Sequence, residues 1–159
     1  MTSIGNRENL EILSKFNVQL GIDAAASVFY KRKKYSYENP IFKRNDEEQL
    51  NYMTNLIKNF KLLYIEDPFY EEDFESFSKL LKKFPDSLIA GDDLTVTNYA
   101  RVKKAIDKKS INAAIIKPNQ NGSLIQVKKI CELCKKNGIK IIFSHRSGET
   151  NENILTDLA

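Results

Sequence analysis

One histidine, His145, and two cysteines, Cys131 and Cys134, are all that the chain offers of the imidazole and thiolate metal ligands. A zinc centre of the usual four Cys and His ligands is excluded, because Cys131-Glu132-Leu133-Cys134 has no second Cys or His pair to complete it. The C-x-x-C spacing by itself also admits a redox pair. Against that stands a plainer reading, two small apolar residues on a buried helix stripe, and it is the one carried forward. No apolar run approaches the roughly 20 residues of a membrane span. Met1 to Asn6 lack the apolar region of a signal peptide. With so few cysteines, these absences predict a reducing, cytoplasmic setting. A strong charge of either sign is lacking too: 25 basic against 21 acidic residues leave +4. That mild excess suits a small anionic substrate and does not call for nucleic acid.

What is present is a repeated grammar. The 159 residues, 42% hydrophobic and 29% charged, are enough for one soluble domain with a core. Five short apolar runs each end in a charged or reactive side chain. Val18 to Ile22 ends in Asp23, and Leu62 to Ile65 in Glu66-Asp67. Leu88 to Gly91 ends in Asp92-Asp93, and Ala113 to Ile116 in Lys117. Ile139 to Phe143 ends in Ser144-His145-Arg146. Short apolar runs bounded by turn signals read as strands buried on both faces. Alternation with helices reads as a parallel sheet. The expected fold is therefore α/β, a partial TIM-type (β/α) barrel of about five strand–helix units spanning residues 1–159. Its reactive residues share the C-terminal rim.

The intervening segments carry helix signals. Residues 6–15 read as the last turns of a helix. Asn45 with Glu48 three residues on forms a capping box, and Leu50, Met53, Ile57 and Phe60 then fall on one face. Glu71-Glu72-Asp73 are expected in the first turn of the next helix, with Phe74, Phe77, Leu81 and Phe84 as its buried stripe and Pro85 as its stop. Thr95 to Asn98 is a loop with capping residues, followed by a short helix marked by Val102, Ala105 and Ile106. Residues 118–122 read as a loop. Ser123 caps a helix whose shared face holds Leu124, Val127, Cys131 and Cys134, and Gly138 fits its C′ position. Phe29 to Tyr37 interleaves Lys31, Arg32, Lys33 and Lys34 with aromatic residues. Such a patch can bind single-stranded nucleic acid, but a surface hairpin with solvated lysines accounts for it as well, and nucleic acid is not expected as a partner.

Asp23, Glu66 and Asp92 at three neighbouring strand ends would repel one another without a cation among them. Oxygen-only ligands suit a hard divalent ion, Mg²⁺ first. Taken singly, each is more often a helix cap or salt-bridge partner; three in register favour the metal. Lys117 ends the next strand. Beside a cation its ammonium form is disfavoured, and the neutral amine is a general base; the alternative is a lysine paired with a carboxylate such as Asp93. On the last strand, Arg146 can grip phosphate or carboxylate bidentately, and Ser147-Gly148 opens a loop whose amides can assist.

The stretches Gly21-Ile22-Asp23-Ala24-Ala25-Ala26-Ser27, Ile65-Glu66-Asp67-Pro68-Phe69, Gly91-Asp92-Asp93-Leu94-Thr95-Val96-Thr97-Asn98, Lys117-Pro118-Asn119-Gln120 and Ser144-His145-Arg146-Ser147-Gly148-Glu149-Thr150 resemble the barrel signatures of the enolase (phosphopyruvate hydratase) family. Order and spacing agree over nearly the whole chain. The resemblance implies a hydro-lyase that reversibly dehydrates 2-phosphoglycerate to phosphoenolpyruvate in glycolysis and gluconeogenesis. By that likeness Asp23, Glu66 and Asp92 bind Mg²⁺, with Glu66 and Asp92 also at the substrate. Lys117 takes the proton from carbon 2, Arg146 and Ser147 meet the phosphate with a second Mg²⁺, and His145 lines the site. A lysine or histidine base with Mg²⁺ is the general pattern of that superfamily.

The likeness has gaps. No residue matches the family's general acid and its helper, its N-terminal capping domain, its first barrel strands or its last one. Five strands do not close a barrel and leave two open edges. The expectation is a fragment, or one subunit of a split enolase needing a companion chain, dimeric when complete. By itself such a chain is expected to be marginally stable or to associate, and to turn over poorly, since each acid–base group is worth about 10²- to 10⁴-fold. The alternatives are an inactive enolase-like remnant serving as a binding protein, and a related dehydratase of acid sugars.

Overall fold

The computed structural model of the chain describes residues 5–38, 41–146 and 154–158. Helix α1 (Asn6–Leu13) and strand β1 (Gly21–Asp23) come first. A 3-10 turn, Ala26–Phe29, leads into an antiparallel meander of β2 (Tyr30–Lys31), β3 (Lys34–Glu38) and β4 (Ile41–Arg44). Helices and strands then alternate: α2 (Asp46–Phe60), β5 (Tyr64–Glu66), α3 (Phe74–Lys83), β6 (Leu88–Gly91), α4 (Tyr99–Asp107) and β7 (Ala113–Ile116). The one-turn α5 (Pro118–Asn121), α6 (Leu124–Lys136), β8 (Lys140–Phe143) and a last helix α7 (Ile154–Leu158) follow. No described helix is long and apolar enough to cross a membrane.

Strands β1, β5, β6, β7 and β8 form one parallel sheet in that order. Because side chains alternate along a strand, one face carries Ile22, Ile65, Ile89, Ala114, Ile116, Ile141 and Phe143. This face packs under the helices with Met53, Phe77, Leu80, Val102 and Ile130 in the main core. The opposite face carries Tyr64, Ala90, Ala113, Ile115 and Ile142. At its C-terminal edge stand Asp23, Glu66, Asp92 and Lys117. Among the described residues the sheet is open, with β1 and β8 each paired on one side. The expected five strand–helix units are present, and they do not close.

Local expectations hold in part. The capping box is complete: Asn45 Oδ1 accepts from Glu48 N at 2.9 Å and Asn45 N donates to Glu48 Oε2 at 2.8 Å. Ser123 caps α6, and Gly138 takes the left-handed conformation after it. Strand β1 is shorter than expected; Val18 is exposed and Leu20 precedes the strand, because its ladder partner β5 begins only at Tyr64. Glu71 and Glu72 lie before α3, and Asp73 is its N-cap. On α3 Leu80 is fully buried, whereas Leu81 and Phe84 are half-buried at the flank. On α2 Leu56 joins Met53 and Ile57 in the core, and Leu50 and Phe60 only lean against it. On α6 Ile130 replaces the exposed Leu124 in the buried face. Residues 118–121 form a helical turn, since Pro at N1 needs no amide hydrogen bond.

The basic-aromatic stretch is a hairpin, extended to three strands by β4. Its rings face inward and pack on one another: Phe29 stacks on Tyr37 at 4.7 Å, Tyr30 on Tyr70 at 4.4 Å, and Tyr35 is fully buried. Cys134 is buried and Cys131 half-buried, both as free thiols.

Candidate functional site

The rim is assembled by the ladder itself. Asp23 pairs in register with Glu66, and Glu66 with Ala90, two residues before Asp92. Lys117 follows β7 directly, and Lys117 N donates to Thr97 Oγ1 at 2.9 Å. Thr97 is fully buried and its hydroxyl also reaches Gln120 Oε1 at 3.1 Å. The loop after β6 is thereby stitched to the loop after β7, and this brings the Lys117 ammonium onto Asp92 Oδ2 in a direct ion pair. The partner is Asp92, not Asp93 as the sequence alternative had it. The other oxygen, Asp92 Oδ1, is buried with no hydrogen-bond partner among the described residues.

Asp67 is the residue that sequence reasoning quoted and did not use. It is 2% exposed, and its carboxylate accepts from the amides of Asp92 (3.1 Å), Asp93 (2.7 Å) and Leu94 (3.5 Å). It clamps the start of the loop that carries Asp92. Burial pushes its carboxyl up to about 7 against the lowering effect of the Asp93 and Asp92 amides. Glu66, Asp67 and Asp92 offer carboxylate oxygens all within 4.8 Å of one another. With both Asp67 oxygens occupied by amides, the oxygens left for a ligand belong to Asp92 and Glu66. Asp23 lies beside this set: its Oδ1 accepts from Ala25 N at 3.0 Å. Burial raises its carboxyl above the usual range, and the nearby Asp92 charge adds to the rise. Glu66 is raised by burial as well, opposed by the Tyr64 hydroxyl and reinforced by Asp23 and Asp92.

A carboxylate cluster of this kind is short of positive charge. Lys117 supplies one unit and leaves an orphaned buried oxygen on Asp92. Oxygen donors alone, one of them unpaired, fit a hard divalent cation. Backbone strain gathers at the same edge. Ala25, Asp67, Val96 and Thr97 all have positive φ, between 40° and 48°, each just past a carboxylate-bearing strand end. For β-branched Val96 and Thr97 that conformation costs on the order of 1 kcal/mol or more each and persists where surrounding contacts hold it.

His145 and Arg146 are exposed just past β8, on the same edge, where Ser144 N extends the ladder to Ile116 O at 3.0 Å. Ser147 lies outside the described residues. The structure thus brings Glu66, Asp67, Asp92 and Lys117 together, sets Asp23 beside them, and places His145 and Arg146 farther along the rim. Tyr64 and Thr97 complete the surroundings. Thr97 stood in a quoted motif, and Tyr64 was legible only as an apolar strand residue.

The family model described as "Enolase, C-terminal TIM barrel domain" matches residues 11–159. The chain is 45% identical to the enolase of Sulfurisphaera tokodaii over 89% of its own length and 34% of that protein. It is 42% identical to the enolase of Pyrobaculum aerophilum over the same shares. Against the enolase of Archaeoglobus fulgidus the identity is 40%, over 98% of this chain and 41% of the relative. The chain therefore spans roughly a third to two-fifths of the curated relatives it matches.

Proposed function

The chain belongs to the enolase family, matching its C-terminal barrel domain, and from that premise we propose that it is the proton-abstracting portion of a phosphopyruvate hydratase. The substrate in this reading is 2-phosphoglycerate and the product phosphoenolpyruvate. The observation that carries it is the Lys117–Asp92 ion pair at a rim where Glu66 and Asp92 offer carboxylate oxygens within 4.8 Å of one another.

Asp92 and Glu66, with Asp23 alongside, would hold Mg²⁺. When bound, the ion supplies positive charge against the substrate carboxylate as negative charge builds there. Lys117 is the group assigned to accept the proton from carbon 2. Its place is set at both ends, by the Thr97 hydroxyl at its backbone amide and by the Asp92 carboxylate at its side chain. Asp67 keeps Asp92 in register through three amides. Arg146 and Ser147 are assigned to the phosphate and His145 to the substrate wall. The proton delivered to the departing hydroxyl is assigned to an acid outside these 159 residues, on a companion portion. The complete enzyme is proposed to be a cytoplasmic homodimer.

A chimera tests this. This chain replaces the matched third of the Sulfurisphaera tokodaii enolase, and phosphoenolpyruvate formation is followed by its near-ultraviolet absorbance with 2-phosphoglycerate and Mg²⁺. Turnover that disappears with Lys117→Ala is expected. A folded chimera without turnover overturns the proposal.

A further inference from the structure

Tyr64 stands two residues before Glu66 on β5, so both side chains leave the same face of the strand. Its hydroxyl donates to Glu66 Oε2 at 2.6 Å. The ring occupies space that its neighbour vacates. Gly21 pairs with Tyr64 across the ladder. A Cβ at Gly21 would lie 2.9 Å from Tyr64 Cβ, closer than side-chain carbons tolerate, and a tight 3.3 Å from Tyr64 Cδ1. The two strands that present Asp23 and Glu66 thus contribute, two residues earlier, a gap and the ring that uses it.

A free glutamate side chain loses rotamer freedom when it is fixed. A hydrogen bond that already holds one oxygen removes part of that cost before any ion arrives. It also leaves the carboxylate with one oxygen to offer. We propose that Tyr64 is a positioning residue for the divalent cation: it ties down Glu66 Oε2 so that Glu66 presents its other oxygen beside Asp92 Oδ1, with Gly21 providing clearance for the ring. The inference deepens the proposed Mg²⁺ site and rests on it.

The experiment is Mn²⁺ binding to the whole chain, read by electron paramagnetic resonance, with tyrosine absorbance recorded in the same titration. Tyr64→Phe keeps the ring and removes the donor. Its dissociation constant is expected to rise about tenfold, the low end for loss of a ligand's hydrogen-bond partner. The unmodified chain is expected to show a tyrosine difference band that saturates with Mn²⁺ and is missing in Tyr64→Phe; a merely structural tyrosine would not track the ion. Gly21→Ala, which displaces the ring, should weaken binding in the same direction. Equal Mn²⁺ affinity of the unmodified and Tyr64→Phe chains overturns this inference and leaves the site standing. No Mn²⁺ binding by the unmodified chain overturns the site and the inference together. If Tyr64→Phe does not fold, the difference band of the unmodified chain decides: its saturation with Mn²⁺ supports the role, and its absence overturns it.

Discussion

The Lys117 ammonium is bound to one oxygen of Asp92 while the other oxygen of the same carboxylate is buried without a partner among the described residues. The two residues lie 25 positions apart at the ends of adjacent strands. Their side chains are only 18% and 13% exposed, so water screens the pair weakly. Lys117→Met would leave Asp92 among Glu66, Asp67 and Asp23 with no cation. Removing one partner of such a pair costs about 3 kcal/mol. Urea unfolding should show that loss without added metal, and Mg²⁺ should recover part of it.

Glu66 yields a pH signature in chelator. Its folded carboxyl is raised by burial, and further by Asp23 and Asp92, above 4.5. Below the unfolded value both states are protonated and there is no penalty. As pH rises through the folded value, the native state must ionise a disfavoured carboxyl, and stability falls. Glu66→Gln, which never ionises, should match the parent near pH 4 and exceed it at pH 8. Denaturant midpoints across that range check the sign; a constant gap would refute it. With Mg²⁺ present the order should reverse.

Asn112 substitutes for backbone at the start of β6. Its Oδ1 accepts from Ile89 N at 2.7 Å and its Nδ2 donates to Ser87 O at 2.8 Å. Ile89 is fully buried, so Asn112→Ala strands an amide away from water. The expected loss is about 2 kcal/mol. Asn137→Ala, which removes an exposed bond to Leu133 O, should stay within about 0.5 kcal/mol.

The turn between β2 and β3 is Arg32-Lys33, with φ of 52° and 60°. Two-residue hairpin turns of this hand favour Asn-Gly. Replacing Arg32 by Asn and Lys33 by Gly should raise stability by about 1 kcal/mol, measurable as a higher thermal midpoint.

Burial pushes the Cys134 thiol up to about 11, and Cys131 is raised in the same direction. At pH 8 only about one Cys134 in a thousand is thiolate. Native protein should therefore react slowly with a disulfide reagent and form no intramolecular disulfide under mild oxidation. Rapid reaction of both thiols should follow denaturation. Fast native reaction would restore the redox reading of the C-x-x-C pair.

Much of this is legible in the sequence. Each strand of the parallel sheet is legible as an apolar run ending in a charged or reactive residue, whereas β4 carries no such signal, and Asn45, Ser123 and Gly138 do at the helix ends what such residues do in any chain. Helix faces are less legible there, because a stripe at 3.6-residue spacing has two plausible flanks. Leu80 against Leu81 on α3, and Ile130 against Leu124 on α6, were decided by the sheet beneath. The spacing that put Asp23, Glu66, Asp92 and Lys117 at strand ends also put them on one edge, since parallel strands share a direction.

The sequence alone determined which side chains reach the rim, because period-two alternation and strand ends are local properties of the chain. Only the tertiary structure decided what each one does there. That Asp67 is filled by three amides, that Lys117 chooses Asp92, and that Tyr64 fits because Gly21 has no side chain are facts about atoms brought together from distant positions. Hydrogen bonds and steric gaps act over a few ångströms of space, and no count along the chain measures that distance.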